Sequence, residues 1–254
     1  MLASRPTLFS SPNQIIELNT KVVNLLTQQK VSVFYKSLKA VSLNQPIRMN
    51  LYLSGASQSI GEIIVKKNSS ELDPDNFDIF ALPIVDLDYP EYFTIVDMRN
   101  LSPKQYKHVG IALYEMAFRE SIQCGCSGRL IADAVRDSHA FHYKMGMRIR
   151  DMSKEKSAEE KQRVAGQYYG QIAEALTNGR MQKGKDLGKQ YIFLPNHAIH
   201  DTAKKFELPA DQLFDAAKYP APSYNVRYPV EEMMALPQQQ PEPVFDCRQS
   251  CVLF

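Results

Sequence analysis

Apolar positions change their spacing several times along the chain, and each change predicts an element. Over residues 11–29 ("SPNQIIELNTKVVNLLTQQ") Ile15, Leu18, Val22 and Leu25/Leu26 recur at helical spacing, with Ser11 placed to cap a helix and Pro12 in its first position. The period then drops to two. Strands are predicted for "KVSVFYKSL" (30–38) and for "IRMNLYLSG" (47–55) with "IGEIIVKK" (60–67), the last two joined by a turn bearing Gly and Ser. "FDIFALPIVDL" (77–87) and "YFTIVDM" (92–98) are further β-branched and aromatic runs, and Pro83 confines the first to an edge or a bulge.

Helical spacing returns over residues 106–123, where Val109, Leu113, Met116 and Ala117 share one side and "CGCSG" ends the run. "RLIADAV" (129–135) predicts a short buried strand. "SHAFHYKMGM" (138–147) predicts a brief aromatic-rich helix stopped at Gly146, and "MRIRDM" another strand. A second long helix is expected over residues 157–178. Ser157 and Glu160 form its capping box, and Val164, Tyr168, Ile172 and Leu176 recur every four residues. "KQYIFLP" (189–195) is the last strand expected.

Helices and strands in this order predict a mixed α/β domain over residues 1–218, with a helical insertion at about 153–182 before the last strand. Residues 219–254 are rich in Pro and Gln and too poor in packing residues to fold alone, so they read as a flexible tail. The 254-residue length suffices for a sizeable core, and a 44% hydrophobic fraction is ordinary for a globular protein. A net charge of +2 gives no reason to expect nucleic acid as a partner, although residues 144–189 carry about five net positive charges. The start lacks a continuous apolar core, so no secretory signal is expected, and four cysteines do not make a disulfide framework; a reducing cytosol is the default.

The residues with chemical interest lie in two stretches. In "YKHVGIA" (106–112), a helix start offers free amides, Gly110 allows close backbone approach, and Lys107 supplies a cation; together these suit a diphosphate. This stretch resembles the basic/Gln-x-x-Gly-x-Gly/Ala loop of the GNAT superfamily of acyl-CoA N-acyltransferases, with Lys107, Gly110 and Ala112 at the motif positions. "SHAFHYKMGM" is similar to that superfamily's "AHxFYxKxGF" segment: Ser138, His139 and Phe141 fall on its small residue, histidine and phenylalanine. Lys144 and Gly146 match directly, and Met147 stands where phenylalanine is usual. The resemblance spans roughly residues 92–150.

The resemblance implies a GNAT-like central sheet flanked by helices. It implies acetyl-CoA as co-substrate, held by Lys107, His108, Val109, Gly110, Ile111 and Ala112 with Ser138 and Phe141 beside the thiol. The acceptor would be an amine, on a protein or a small molecule. His142 falls where the family has the tyrosine that protonates the leaving thiolate, with Tyr143 one residue later; an imidazole titrating near neutrality suits that role. Asp97 is the expected base, with Asp133 the alternative. Two features depart from the family pattern: this histidine, and a longer connection after "YFTIVDM" in which Ser102-Pro103 looks like a helix cap. His197 and His200 with Cys124 or Cys126 do not form a closed metal-ligand set, so no metal is expected.

The chain ends "CVLF", a CaaX pattern whose Phe254 favours geranylgeranylation of Cys251. Cys247 is the candidate for a second, palmitoyl anchor, or else a bystander thiol. Prenylation belongs to eukaryotic cytosol, so a peripheral membrane location is expected, in a eukaryotic protein or in a bacterial effector lipidated inside a host cell. The rival reading is a prenylated binding module or effector adaptor on a catalytically degenerate acyltransferase fold.

Overall fold

The first predicted helix does not form. In the computed structural model, which describes residues 14–38, 42–68, 91–135, 138–149, 158–178 and 190–213, the segment from Ile15 folds as two strands, β1 (Ile15–Glu17) and β2 (Val22–Asn24). Leu18 and Val22 are fully buried, as the helical reading required, but Val22 lies on β2 and Leu18 just beyond the end of β1. Ile15, Ile16, Val22 and Val23 are β-branched and favour extended backbone. Ladders decide the matter: β1 pairs with β4 (Val33–Lys36), and β2 pairs on one side with β3 (Lys30–Val31). The predicted strand over 30–38 is thus split between two sheets.

β5 (Pro46–Leu53) and β6 (Ser59–Asn68) form the expected antiparallel pair, and β7 (Tyr92–Asn100) follows on the other edge of β6. Ile63 and Val65 of β6 and Phe93 and Ile95 of β7 are buried beneath the main helix, as a period of two requires. The run over 77–87, with Pro83, lies outside the described residues. Tyr106 and Lys107, expected to open the helix, instead form a short strand, β8 (Tyr106–Lys107), paired with the free edge of β2. Ser102 caps no helix; its carbonyl accepts from the amides of Gln105 and Tyr106, closing a single turn.

The helix α1 (Val109–Gln123) packs on β6, β7 and β9 (Leu130–Ala134). Its predicted face, Val109, Leu113, Met116 and Ala117, is buried as expected. The helix lies close to the sheet because β6 carries Gly61, where a Cβ would stand 2.9 Å from Val109 Cγ1. α2 (Ser138–Lys144), β10 (Arg148–Ile149), α3 (Ala158–Asn178) and β11 (Gln190–Phe193) follow in the predicted order. Tyr168 and Ile172 are buried on α3 and Leu176 is half-buried; Ser157 and Gly179, its expected cap and stop, lie outside the described residues. Gly146 takes the left-handed backbone (φ 89°) at the end of α2, a conformation that suits glycine. The sequence reading missed α4 (Asn196–Lys205), whose Ile199, Ala203 and neighbouring Phe206 are core residues.

Among the described residues the main sheet has eight strands in the order β1-β4-β5-β6-β7-β9-β11-β10, mostly antiparallel, and a smaller sheet has the order β3-β2-β8. The fold is mixed α/β, with a large sheet and four helices among the described residues. Residues 219–254, including Cys247 and Cys251, lie outside the described residues.

Candidate functional site

β7 and β9 are parallel, and their pairing runs only from Phe93–Leu130 to Ile95–Ala132. It ends at a bulge. Ile64 of β6 faces Asp97 while Val65 faces Ile95, so Val96 is the extra residue and β7 bends there. Val96 is 51% exposed. Beyond this point β9 stays with β11 as far as Ala134, while β7 continues to Asn100 along β6. Past this point the two parallel strands are paired with different neighbours, and a helix start follows each along the chain: α1 after β7 and the short β8, α2 after β9.

At the start of α1, His108 adopts the left-handed conformation (φ 68°, ψ 8°) and turns the chain from β8 into the helix. The first intrahelical bond is the Ala112 amide to the His108 carbonyl at 3.1 Å. Helix geometry thus leaves the amides of Val109, Gly110 and Ile111 without a carbonyl on a preceding turn. No side-chain hydrogen bond caps this end, and its first turn holds no acidic residue. Val109, Gly110 and Ala112 are buried, Lys107 and Ile111 are half-buried, and His108 is exposed. The six residues expected to form an anion cradle are therefore one strand residue, one hinge and the first turn of the helix.

At the start of α2 the Ser138 hydroxyl donates to the Val135 carbonyl at 2.8 Å and accepts from the Val135 amide at 3.0 Å. It is occupied in tying strand to helix. Phe141 is half-buried, edge-on to His142 at 5.2 Å between ring centroids. His142 is buried, and its Nδ1 has no hydrogen-bond partner among the described residues. Burial, and secondarily His139, pushes it down to about 3. Expected to titrate near neutrality, His142 is instead held neutral there, because burial strips away the water that would stabilise the cation. Tyr143 is half-buried, its ring 5.7 Å from that of Tyr169 and beneath the Arg148 guanidinium at 4.5 Å. Tyr168 on α3 reaches His139 Nδ1 at 3.2 Å, so α3 covers the aromatic side of α2.

Asp97 follows the bulge and pairs with Arg99 at 2.7 Å, two residues on along the same face of β7. Asp133 lies one residue past the last β7–β9 pair, opposite Tyr191. Both candidate bases therefore stand where the strands part. Burial pushes the Cys124 and Cys126 thiols up to about 12, and among the described residues no group of three His, Cys, Asp or Glu could hold a metal.

One structural carboxylate of the fold has no signal in the sequence. Glu115, fully buried on α1, accepts the amides of Asn19 at 2.9 Å and Thr20 at 2.8 Å and pairs with Arg119 at 2.7 Å. It clasps the β1–β2 turn to α1, and the partners lie too far apart in sequence for any local pattern to reveal them. Comparison with protein-family models, with curated proteins and with solved structures finds no match.

Proposed function

We propose that the chain is a GNAT-like N-acyltransferase that takes its acetyl group from acetyl-CoA and transfers it to an amine. The observation that carries this reading is the parting of the parallel pair β7–β9 at the Val96 bulge, beside an uncapped helix start. The motif residues that resemble the superfamily lie at the starts of α1 and α2, the helices that follow these strands along the chain. The amides of Val109, Gly110 and Ile111 suit a diphosphate, since the helix dipole adds to their hydrogen bonds and no acidic side chain opposes it. A thioester is already activated, so the protein has to position the amine, take its proton and return one to the thiolate. Asp97 or Asp133 is the acceptor of the first proton and Tyr143 the source of the second, because a His142 held neutral by burial is too weak an acid to protonate a thiolate.

Calorimetry with acetyl-CoA tests this. Binding is expected to the native chain, and Gly110→Asp is expected to abolish it by placing a carboxylate among the amides. Unchanged affinity in the folded variant would overturn the assignment. A second reading, a binding module on a degenerate acyltransferase fold, is favoured by the neutral, buried His142 and by the engagement of Asp97 with Arg99. Binding without acetyl transfer to any of a panel of amines and peptides would select it.

The CaaX ending supports anchoring through a prenyl group on Cys251, with Cys247 as the candidate second site. No helix among the described residues is long and apolar enough to cross a membrane. Cys251→Ser is expected to move the protein from membrane to cytosol in a eukaryotic cell; membrane retention would overturn the prenyl reading.

A further inference from the structure

The small sheet brings together cations that are far apart in the sequence. In β3-β2-β8, Val23 faces Lys30 on one side and Lys107 on the other. Residues directly opposite across a ladder point to the same face, so the two lysines flank Val23, with their Cα atoms two strand spacings apart, roughly 10 Å. Val22, one residue earlier, is fully buried, which turns the face bearing Val23, Lys30 and Lys107 outward. Lys30 is exposed and Lys107 half-buried, and neither takes part in an ion pair among the described residues.

The segments that build this sheet contain no acid. Residues 21–31 and 100–112 carry Lys21, Lys30, Lys104, Lys107 and His108 and not one Asp or Glu. Only His108 separates Lys107 from the first helical residue of α1. The lysine pair is thus a second positive locus beside the free amides of α1, in which Lys107 comes from the stretch that resembles the acyltransferases and Lys30 from a hairpin outside it.

We propose that Lys30 and Lys107 form a clamp for a second phosphate of the same ligand, the 3′-phosphate on the ribose of coenzyme A. The proposal rests on the acyl-CoA reading above and deepens it. A coenzyme A molecule carries a diphosphate and, on the adjoining ribose, a separate phosphomonoester. The amides at the start of α1 suit the first. Two long, flexible ammonium side chains that can converge on one oxyanion suit the second. The β2–β3 hairpin therefore makes the protein selective for coenzyme A over ligands that carry the diphosphate alone.

The test is calorimetry of the full chain with acetyl-CoA and with its 3′-dephospho form, on the native protein and on Lys30→Gln. The native protein is expected to bind acetyl-CoA at least about tenfold more tightly than the dephospho form, the gain ordinary for a charge-assisted contact. Lys30→Gln, an exposed change whose folding is checked by circular dichroism, is expected to bring the two affinities together by weakening acetyl-CoA alone. Equal native affinities for both ligands would overturn the clamp and leave the acyl-CoA reading standing. A native preference that survives Lys30→Gln would also overturn it. Binding of neither ligand would defeat the acyl-CoA reading, and the clamp with it.

Discussion

The two ends of α1 treat polarity in opposite ways. At the start, three backbone amides are left over, no side chain among the described residues caps them, and the flanking segments hold lysines without acids. At the far end the protein has closed polar groups into its interior. Glu120, Ser121 and Arg129 are buried there with Tyr35 and Cys126. Ser121 donates to the Arg129 carbonyl at 3.3 Å, and Arg129 to the Cys126 carbonyl at 3.1 Å. Glu120 accepts the Leu38 amide at 3.3 Å. The difference teaches where a ligand has something to gain. An amide with no internal partner at a helix start can be satisfied from outside, whereas the closed end offers a ligand no entry.

Glu115 and Glu120, five residues apart on this helix, sharpen the contrast. Both are fully buried. Glu115 has two amides and a guanidinium; Glu120 has the Leu38 amide on one oxygen and no partner for the other among the described residues, and burial pushes it up to about 7. The largest effect is therefore expected at the first. Glu115→Ala leaves the Asn19 and Thr20 amides and the largely buried Arg119 without their acceptor, and should cost about 3–5 kcal/mol in denaturant unfolding. A cost below about 1 kcal/mol would show that the clasp does not hold the β1–β2 turn.

Glu120 comes next, and its signature is a pH window. A carboxyl that titrates at about 7 in the fold and at 4.5 when unfolded binds its proton more tightly in the native state. Its contribution is complete below pH 4.5 and is lost as pH rises through 7. The loss is about 3 kcal/mol. Glu120→Gln should thus be more stable than the native protein at pH 8 and show a flatter profile between those limits; equal slopes in the two proteins would refute the buried carboxyl.

His142 runs the opposite way and gives the smallest effect. Its depressed value means that the unfolded chain takes up the proton first, so stability is complete above about pH 6.5 and declines as pH falls toward 3. At pH 5 the penalty is about 2 kcal/mol, and His142→Phe should remove it while changing stability little at pH 7. The same variant bears on the site. If acetyl transfer slows in His142→Phe with acetyl-CoA affinity unchanged, the imidazole is the proton source; if Tyr143→Phe is the damaging change, the phenol is.

Much of the fold was legible because the information was local. The alternation over 47–55 and 60–67 became β5 and β6, the helical face of Val109, Leu113, Met116 and Ala117 became the buried side of α1, and Gly146 ended α2 as its φ demanded. The candidate site was legible only as residue types in order. That Val96 would bulge, that Lys107 would be a strand residue, and that His142 would lose its affinity for a proton all depend on neighbours supplied by other elements.

What the sequence determined by itself is the period of each strong element and the glycines that stop them, since these follow from the geometry of a single helix or strand. What the tertiary structure decided is shown by residues 15–24. Leu18 and Val22 satisfy a helix and a pair of strands equally well, because both arrangements bury them. The choice fell to partners outside the segment: β4, β3 and β8 offered ladders, and the Glu115 carboxylate, 95 residues beyond Thr20, took the turn amides that a helix would have satisfied within itself. A backbone amide must find an acceptor somewhere, and only the assembled fold says where.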